Sequence, residues 1–241
     1  MSDIHANLEA LERCLEHARE RGAERIHFLG DLVGYGADAV PVIDIVMRHA
    51  VEGSLVIKGN HDEAIETEAS YFNHAAQAAL SWARSTLTPE QKAFIAALPL
   101  IVRDNDICYV HATAVRPERW DYIDSPGAAA ACTEAAGATW TFCGHVHDQM
   151  LYFGTAPGRM NLFRPYPGTA IPVKNHRRWV AIVGSVGQPR DSNPAAAYAL
   201  FDSARQELTF HRVRYDAASA ARKIRDAGLP DSLAQRVEHG I

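Results

Sequence analysis

The stretch Ser54-Leu55-Val56-Ile57-Lys58-Gly59-Asn60-His61-Asp62 joins a short apolar run to four residues with chemistry on them. The run has the length and β-branched content of a buried strand. Gly59 permits a tight turn after it. Asn60 offers a neutral oxygen to a cation. His61 can face a substrate, and Asp62 can fix its tautomer. Polar groups at the end of a strand face the crevice beyond the sheet, where sites are built from several strands at once.

The same arrangement recurs on both sides. Arg25–Leu29 runs into Gly30-Asp31, Ile107–Val110 into His111, and Thr139–Cys143 into Gly144-His145-Val146-His147. Near the start stands Ser2-Asp3-Ile4-His5. Asp3 and His5, like His145 and His147, are two apart, and on an extended segment that puts both side chains on one side. The candidate ligands are therefore Asp3, His5, Asp31, Asn60, His111, His145 and His147. Imidazole, carboxylate and one amide oxygen, without thiolate, suit Mn, Fe, Zn or Ni. Seven ligands exceed the needs of one ion and match two ions sharing a carboxylate, with Asp31 the candidate bridge. Such paired ions promote in-line attack on phosphorus.

Bulk properties narrow the class. The 241 residues are 47% hydrophobic and 22% charged, which suits a folded globular chain. A net charge of −5 argues against general affinity for nucleic acid or anionic membrane. No apolar run reaches the ~18 residues of a membrane span. No secretion signal is visible. Cys14, Cys108, Cys132 and Cys143 show no metal or disulfide spacing, so reduced thiols in a cytoplasmic protein are expected.

Periodicity predicts helices over 7–21, 39–50, 71–86 and 126–136, a short one after Thr88-Pro89-Glu90, and one over 217–227 before a polar tail. Strands are predicted at 100–102 and 107–110 as a hairpin, then 139–143, 150–153, 179–183, 197–201 and 208–213. Strand–helix alternation followed by a strand-rich half suggests one α/β domain over 1–241, two packed sheets between helical layers.

The order D-x-H, G-D, G-N-H-D, H, G-H-x-H resembles that of the calcineurin-like metallophosphoesterases, and all five pieces lie between residues 3 and 147. Ser2–Asn7, Gly30–Gly36 and Gly184–Asp191 are similar to the bacterial diadenosine-tetraphosphatase-like or small-phosphodiesterase branch. The resemblance implies a four-layer αββα fold and a metal-dependent phosphoric ester hydrolase. It assigns Asp3, His5 and His147 to one ion, Asn60, His111 and His145 to the other, and Asp31 to both. It implies attack by a metal-bridging hydroxide on a phosphodiester or phosphomonoester. His61 would protonate the leaving oxygen or stabilise the transition state, with Asp62 orienting it.

Departures refine this. The phosphoprotein phosphatases of the superfamily carry arginines where Tyr35 and Lys58 stand, which favours a small phosphodiester or nucleotide as substrate. Arg190, Arg116 and Arg119 are the candidate phosphate contacts, Arg190 foremost. Family members begin with an apolar central strand before Ser-Asp, whereas only Met1 precedes Ser2. The first central strand is therefore expected to be missing and the natural chain to start upstream. The alternative function is a catalytically weak regulatory or binding protein that keeps the fold.

Overall fold

The computed structural model describes residues 1–67, 71–156 and 158–241. The helices are α1 (Leu8–Glu20), α2 (Ala39–Val51), α3 (Asn60–Glu63), α4 (His74–Thr86), α5 (Pro89–Ala96), α6 (Pro126–Ala136), α7 (Ala217–Asp226) and α8 (Asp231–His239). The strands are β1 (Ile101–Asp104), β2 (Ile107–Val110), β3 (Trp140–Cys143), β4 (Gln149–Ala156), β5 (Arg159–Phe163), β6 (Ala170–Pro172), β7 (Trp179–Val183), β8 (Ala196–Asp202) and β9 (Glu207–Val213). They form a mixed six-stranded sheet in the order β1-β2-β3-β7-β4-β5 and a three-stranded sheet in the order β6-β9-β8.

Strand β7 shows why two sheets must stack. Its five residues are all buried, so both faces need cover. With period two, Val180 and Ile182 pack against α6, among Ala129, Cys132 and Ala136. Trp179, Ala181 and Val183 turn inward and meet Leu208 and Phe210 of β9. On the far side α1 and α2 pack through Leu11, Val42 and Ile43 against Ile4 and Phe28. The result is helix, sheet, sheet, helix. All four cysteines are free and buried. No helix among the described residues is long and apolar enough to cross a membrane.

Helix starts follow local chemistry. Asn7, Asn73, Ser125 and Asp216 each accept a backbone N–H with the side chain. Thr88 and Gln91 satisfy each other's backbone at the head of α5.

Some expectations need correction. Segments 25–29 and 54–58 are not ladder strands; they meet in one parallel bridge, Phe28 with Val56. Residues 1–6 lie alongside instead. Met1 O accepts from Leu29 N–H at 2.8 Å, and Asp3 N–H donates to Gly30 O at 3.0 Å. On the other flank, Val186 and Gly187 donate to Ser2 O and Asp3 O. Strands β5 and β6 have mostly exposed residues, so no alternation marks them in the sequence. The tail read as polar is helix α8, which buries Leu233, Ala234 and Val237 against α7.

A buried polar cluster sits between α1 and the small sheet. His211 stacks on Tyr198 with ring centroids 5.0 Å apart and meets His17 edge-on at 5.2 Å. Burial, then His17, lowers the His211 pKa to about 4. The unfolded chain takes up this proton near pH 6.5, while the folded chain resists down to about 4. Stability therefore falls as pH drops through that window. In metal-free protein, His211→Phe should flatten the pH dependence of urea unfolding between pH 7 and 4.5. Identical slopes in wild type and variant would rule out this group.

Candidate metal centre

Strands β2, β3 and β7 run parallel, so their carboxyl ends open on one edge. His111 follows β2, His145 and His147 follow β3, and Gly184–Asp191 follows β7. There the structure gathers Asp3, His5, Asp31 and His147 into one buried group, and Asp31, His111 and His145 into a second. Within each, the ligand atoms lie within 4.8 Å of one another. Asp31 belongs to both.

The hydrogen bonds show what these atoms lack. His5 Nδ1 donates to Val33 O at 3.1 Å and His147 Nδ1 donates to Gln188 O at 2.6 Å. Each neutral ring has then spent its one proton. Yet the two Nε2 atoms face each other at 3.1 Å. Two lone pairs at that distance repel unless a cation lies between them. Asp3 Oδ1 is 3.2 Å from His147 Nε2, and Asp31 Oδ2 is 3.7 Å from His5 Nε2. His111 repeats the pattern: Nδ1 donates to Leu29 O at 2.7 Å, while Nε2 points to Asp31 Oδ2 at 3.4 Å and His145 Nδ1 at 3.2 Å. Asn60 Oδ1 is buried without a partner among the described residues. The donor set fits divalent metal.

Asp31 dominates the electrostatics of the His111 group. Burial lowers His111, but the adjacent Asp31 carboxylate outweighs it and raises the group to about 9. Burial raises Asp31, and the His111 and His61 imidazoles hold it well below the carboxylate range. Asp3 is likewise pushed up by burial and brought below that range by His147. Burial takes His5 well down and His145 to about 3.

The backbone corrects the expected geometry. Asp3, His5, His145 and His147 are not on extended segments; their φ values are 53°, 49°, 67° and 65°. Asp31 joins them at 50°. Left-handed backbone at non-glycine residues is costly and clusters at functional sites. Each pair converges through tight turns rather than alternation.

Gly59 is not in a tight turn either. Its backbone is extended, at φ −102° and ψ 175°. Glycine is needed because a Cβ there would strike Asp31 Oδ1 and its backbone nitrogen. Gly144 serves the same end, since a Cβ would collide with Asp3 Oδ2 and Ser2 Oγ.

Asp62 also needs correction. It does not touch the His61 ring. Its Oδ1 accepts from Leu32 and Val33 N–H at 2.9 and 3.4 Å, and its Oδ2 from Gly59 N–H at 2.9 Å. Adjacent residues on a helical turn point apart. Asp62 thus ties α3 to the Asp31 loop through backbone. Burial, then Asp31, lifts its carboxyl to about 7.

His61 is fixed by its own N–H, which donates to Asp31 Oδ1 at 2.9 Å. Asp31 therefore holds α3 with one oxygen and faces both ligand groups with the other. The His61 ring packs against Tyr35 and His5, centroids 4.5 and 4.8 Å away, with Phe72 edge-on. Its Nδ1 is buried against Gly34 without a partner among the described residues. Burial lowers the ring to about 4.

A cavity of about 390 Å³ opens over the clusters, lined by Asp31, Asn60, His61, His145, His147 and Arg190 among others. Arg190 donates to Gln188 Oε1 at 3.0 Å and to the Tyr35 hydroxyl at 3.3 Å, and lies over the Tyr35 ring. Among the described residues it has no carboxylate partner. Arg119 stands at the rim, 3.8 Å from Asp121, and Arg116 is not part of the lining. Lys58 points away, its Nζ donating to Ala96 O at 2.7 Å. Phe72 and Asn73 wall the cavity, whereas Trp82 turns its indole N–H to Ala37 O. Sequence reading missed Arg236 of α8, and Trp120 and Tyr122 on the loop after β2. The only sequence signal for Trp120 and Tyr122 is aromatic content in an irregular segment.

Several known proteins are similar to this chain. A metallophosphoesterase from Sphaerobacter thermophilus is 34% identical, with a TM-score of 0.90 covering 100% of this chain and 97% of that one. An uncharacterised protein of Methanocaldococcus jannaschii is 31% identical, over 98% of this chain and 95% of its own length. A hypothetical protein from Pyrococcus horikoshii has the same fold, with a TM-score of 0.78 at 20% identity over 100% of this chain and 97% of its own. The calcineurin-like phosphoesterase superfamily domain matches residues 1–206. With that match, this fold and this cluster of buried imidazoles and carboxylates, the chain belongs to the calcineurin-like phosphoesterase superfamily, whose members use divalent metals.

Proposed function

We propose that this protein hydrolyses a small phosphodiester or nucleotide, using two divalent transition-metal ions drawn from Mn, Fe, Zn or Ni. Asp3, His5 and His147 would hold one ion, Asn60, His111 and His145 the other, and Asp31 both. The observation that carries the reading is the pair of facing Nε2 atoms on His5 and His147, 3.1 Å apart with both Nδ1 protons committed to carbonyls. When bound, the ions supply an activated water and neutralise phosphate charge for in-line attack.

The chain's own residues do the rest. Carbonyls of Val33, Leu29 and Gln188 fix the tautomers of His5, His111 and His147, presenting each Nε2 lone pair. Arg190, braced by Gln188 and Tyr35, offers a guanidinium fork to a phosphate oxygen. His61 acts on the leaving oxygen. Its ring is neutral at pH 7 in the free protein, so a proton-donor role relies on the substrate's negative charge to raise its pKa. Lys58, turned to Ala96 O, cannot serve as the phosphate clamp of the phosphoprotein phosphatases.

The test pairs elemental analysis with a substrate panel. Protein purified without chelator and loaded with Mn should carry about two ions per chain. It should turn over bis-nitrophenyl phosphate or a dinucleoside polyphosphate faster than a phosphopeptide. Well below one ion per chain would reject the metal centre. A phosphopeptide as the better substrate would reject the small-ester reading.

A further inference from the structure

Of the four candidate histidine ligands, three brace the ring nitrogen turned away from the cluster on a backbone carbonyl. His145 does not. Its Nδ1 faces His111 Nε2 at 3.2 Å, and its buried Nε2 has no hydrogen-bond partner among the described residues. A ligand ring without such a brace is free to rotate out of line. What holds it is a side chain from the loop after β2. The Tyr122 ring lies over the His145 ring, with centroids 4.2 Å apart and planes 25° from parallel.

The loop is built to keep that ring in place. Trp120, at a left-handed φ of 59°, is buried edge-on to His111. Its indole N–H donates to Glu63 Oε2 at 3.0 Å, on the helix that carries Asn60. Ile123 is buried beneath α6. Between these two anchors Tyr122 remains 53% exposed. An exposed phenol gains little from burial at that spot, so its contact with His145 is the interaction that matters. An imidazole bound to a cation is polarised toward positive charge, and the face of an aromatic ring attracts it.

We infer that Tyr122 is a positioning residue for the Asp31–His111–His145 group, and that it sets the affinity of that half of the centre alone. This rests on the metallophosphoesterase reading above. The half containing Asp3, His5 and His147 has carbonyl braces on both imidazoles, and among the described residues the Tyr122 ring stacks on His145 and on neither of them. The two halves should therefore bind metal unequally, the His145 half being the one tuned by an aromatic ring.

Calorimetric titration of metal-free full-length protein with Mn, checked by elemental analysis, tests this. Wild type should show two binding steps. Tyr122→Ala should weaken one step by about tenfold or more and leave the other in place. Tyr122→Phe keeps the ring and should restore the wild-type isotherm. An Ala variant matching wild type would overturn the inference, as would equal weakening of both steps, which signals general loosening. A Phe variant as weak as Ala would also overturn it, since the hydroxyl rather than the ring would then be at work. If wild type binds no Mn at all, the metal reading itself fails, a result distinct from any of these.

Discussion

Asp31→Asn should cost more metal than any other single substitution. One Asp31 oxygen faces His5 Nε2 at 3.7 Å and His111 Nε2 at 3.4 Å, so it serves both ligand groups. The other accepts the His61 N–H at 2.9 Å and so holds the helix carrying Asn60 and His61. The amide removes the charge that both groups share, and its NH2 end cannot accept a hydrogen bond. Bound metal should fall from about two ions per chain to less than one. Activity should drop beyond the ~100- to 1,000-fold typical of losing one electrostatic donor. If Asn60→Ala strips metal more completely than Asp31→Asn, Asp31 is not the shared ligand.

His61→Ala should do the reverse, keeping metal and losing turnover. The ring lines the cavity, and its contact with the ligand His5 is ring packing rather than a hydrogen bond. Loss of a group that donates to the leaving oxygen costs about 100- to 10,000-fold. The deficit should be large for alkyl phosphoesters and small for nitrophenyl esters, whose leaving groups need no proton. Equal losses on both would exclude this role and leave His61 as a contact to phosphate alone.

Much of this site was legible in the sequence because Asp31, Asn60, His111, His145 and His147 each follow a strand-like apolar run. Parallel strands bring such ends together without any further information. The helices were legible through their caps and their spacing. What escaped depends on contacts that no local pattern encodes. Asp62 reaches back to Leu32 and Val33 across thirty positions, so its role could not be read beside His61. The spacing of Asp3 with His5, and of His145 with His147, has one meaning in a strand and another in a tight turn. Only the φ values separate them. Helix α8 and Arg236 lie in a charged stretch whose apolar residues, Leu233, Ala234 and Val237, are sparse but all buried. Tyr122 has no motif at all; its place follows from Trp120 and Ile123 on either side of it.

The left-handed backbone at Asp3, His5, Asp31, His145 and His147 has an evolutionary consequence. At each position a glycine would fit the chain's shape better than the residue that binds metal. The folded scaffold is thus easier to make without its chemistry than with it. Selection for stability alone would erode this centre one ligand at a time, each loss easing the backbone by about 1–3 kcal/mol. Descendants released from metal binding should drift downhill toward inert, sturdier proteins, losing these five residues first.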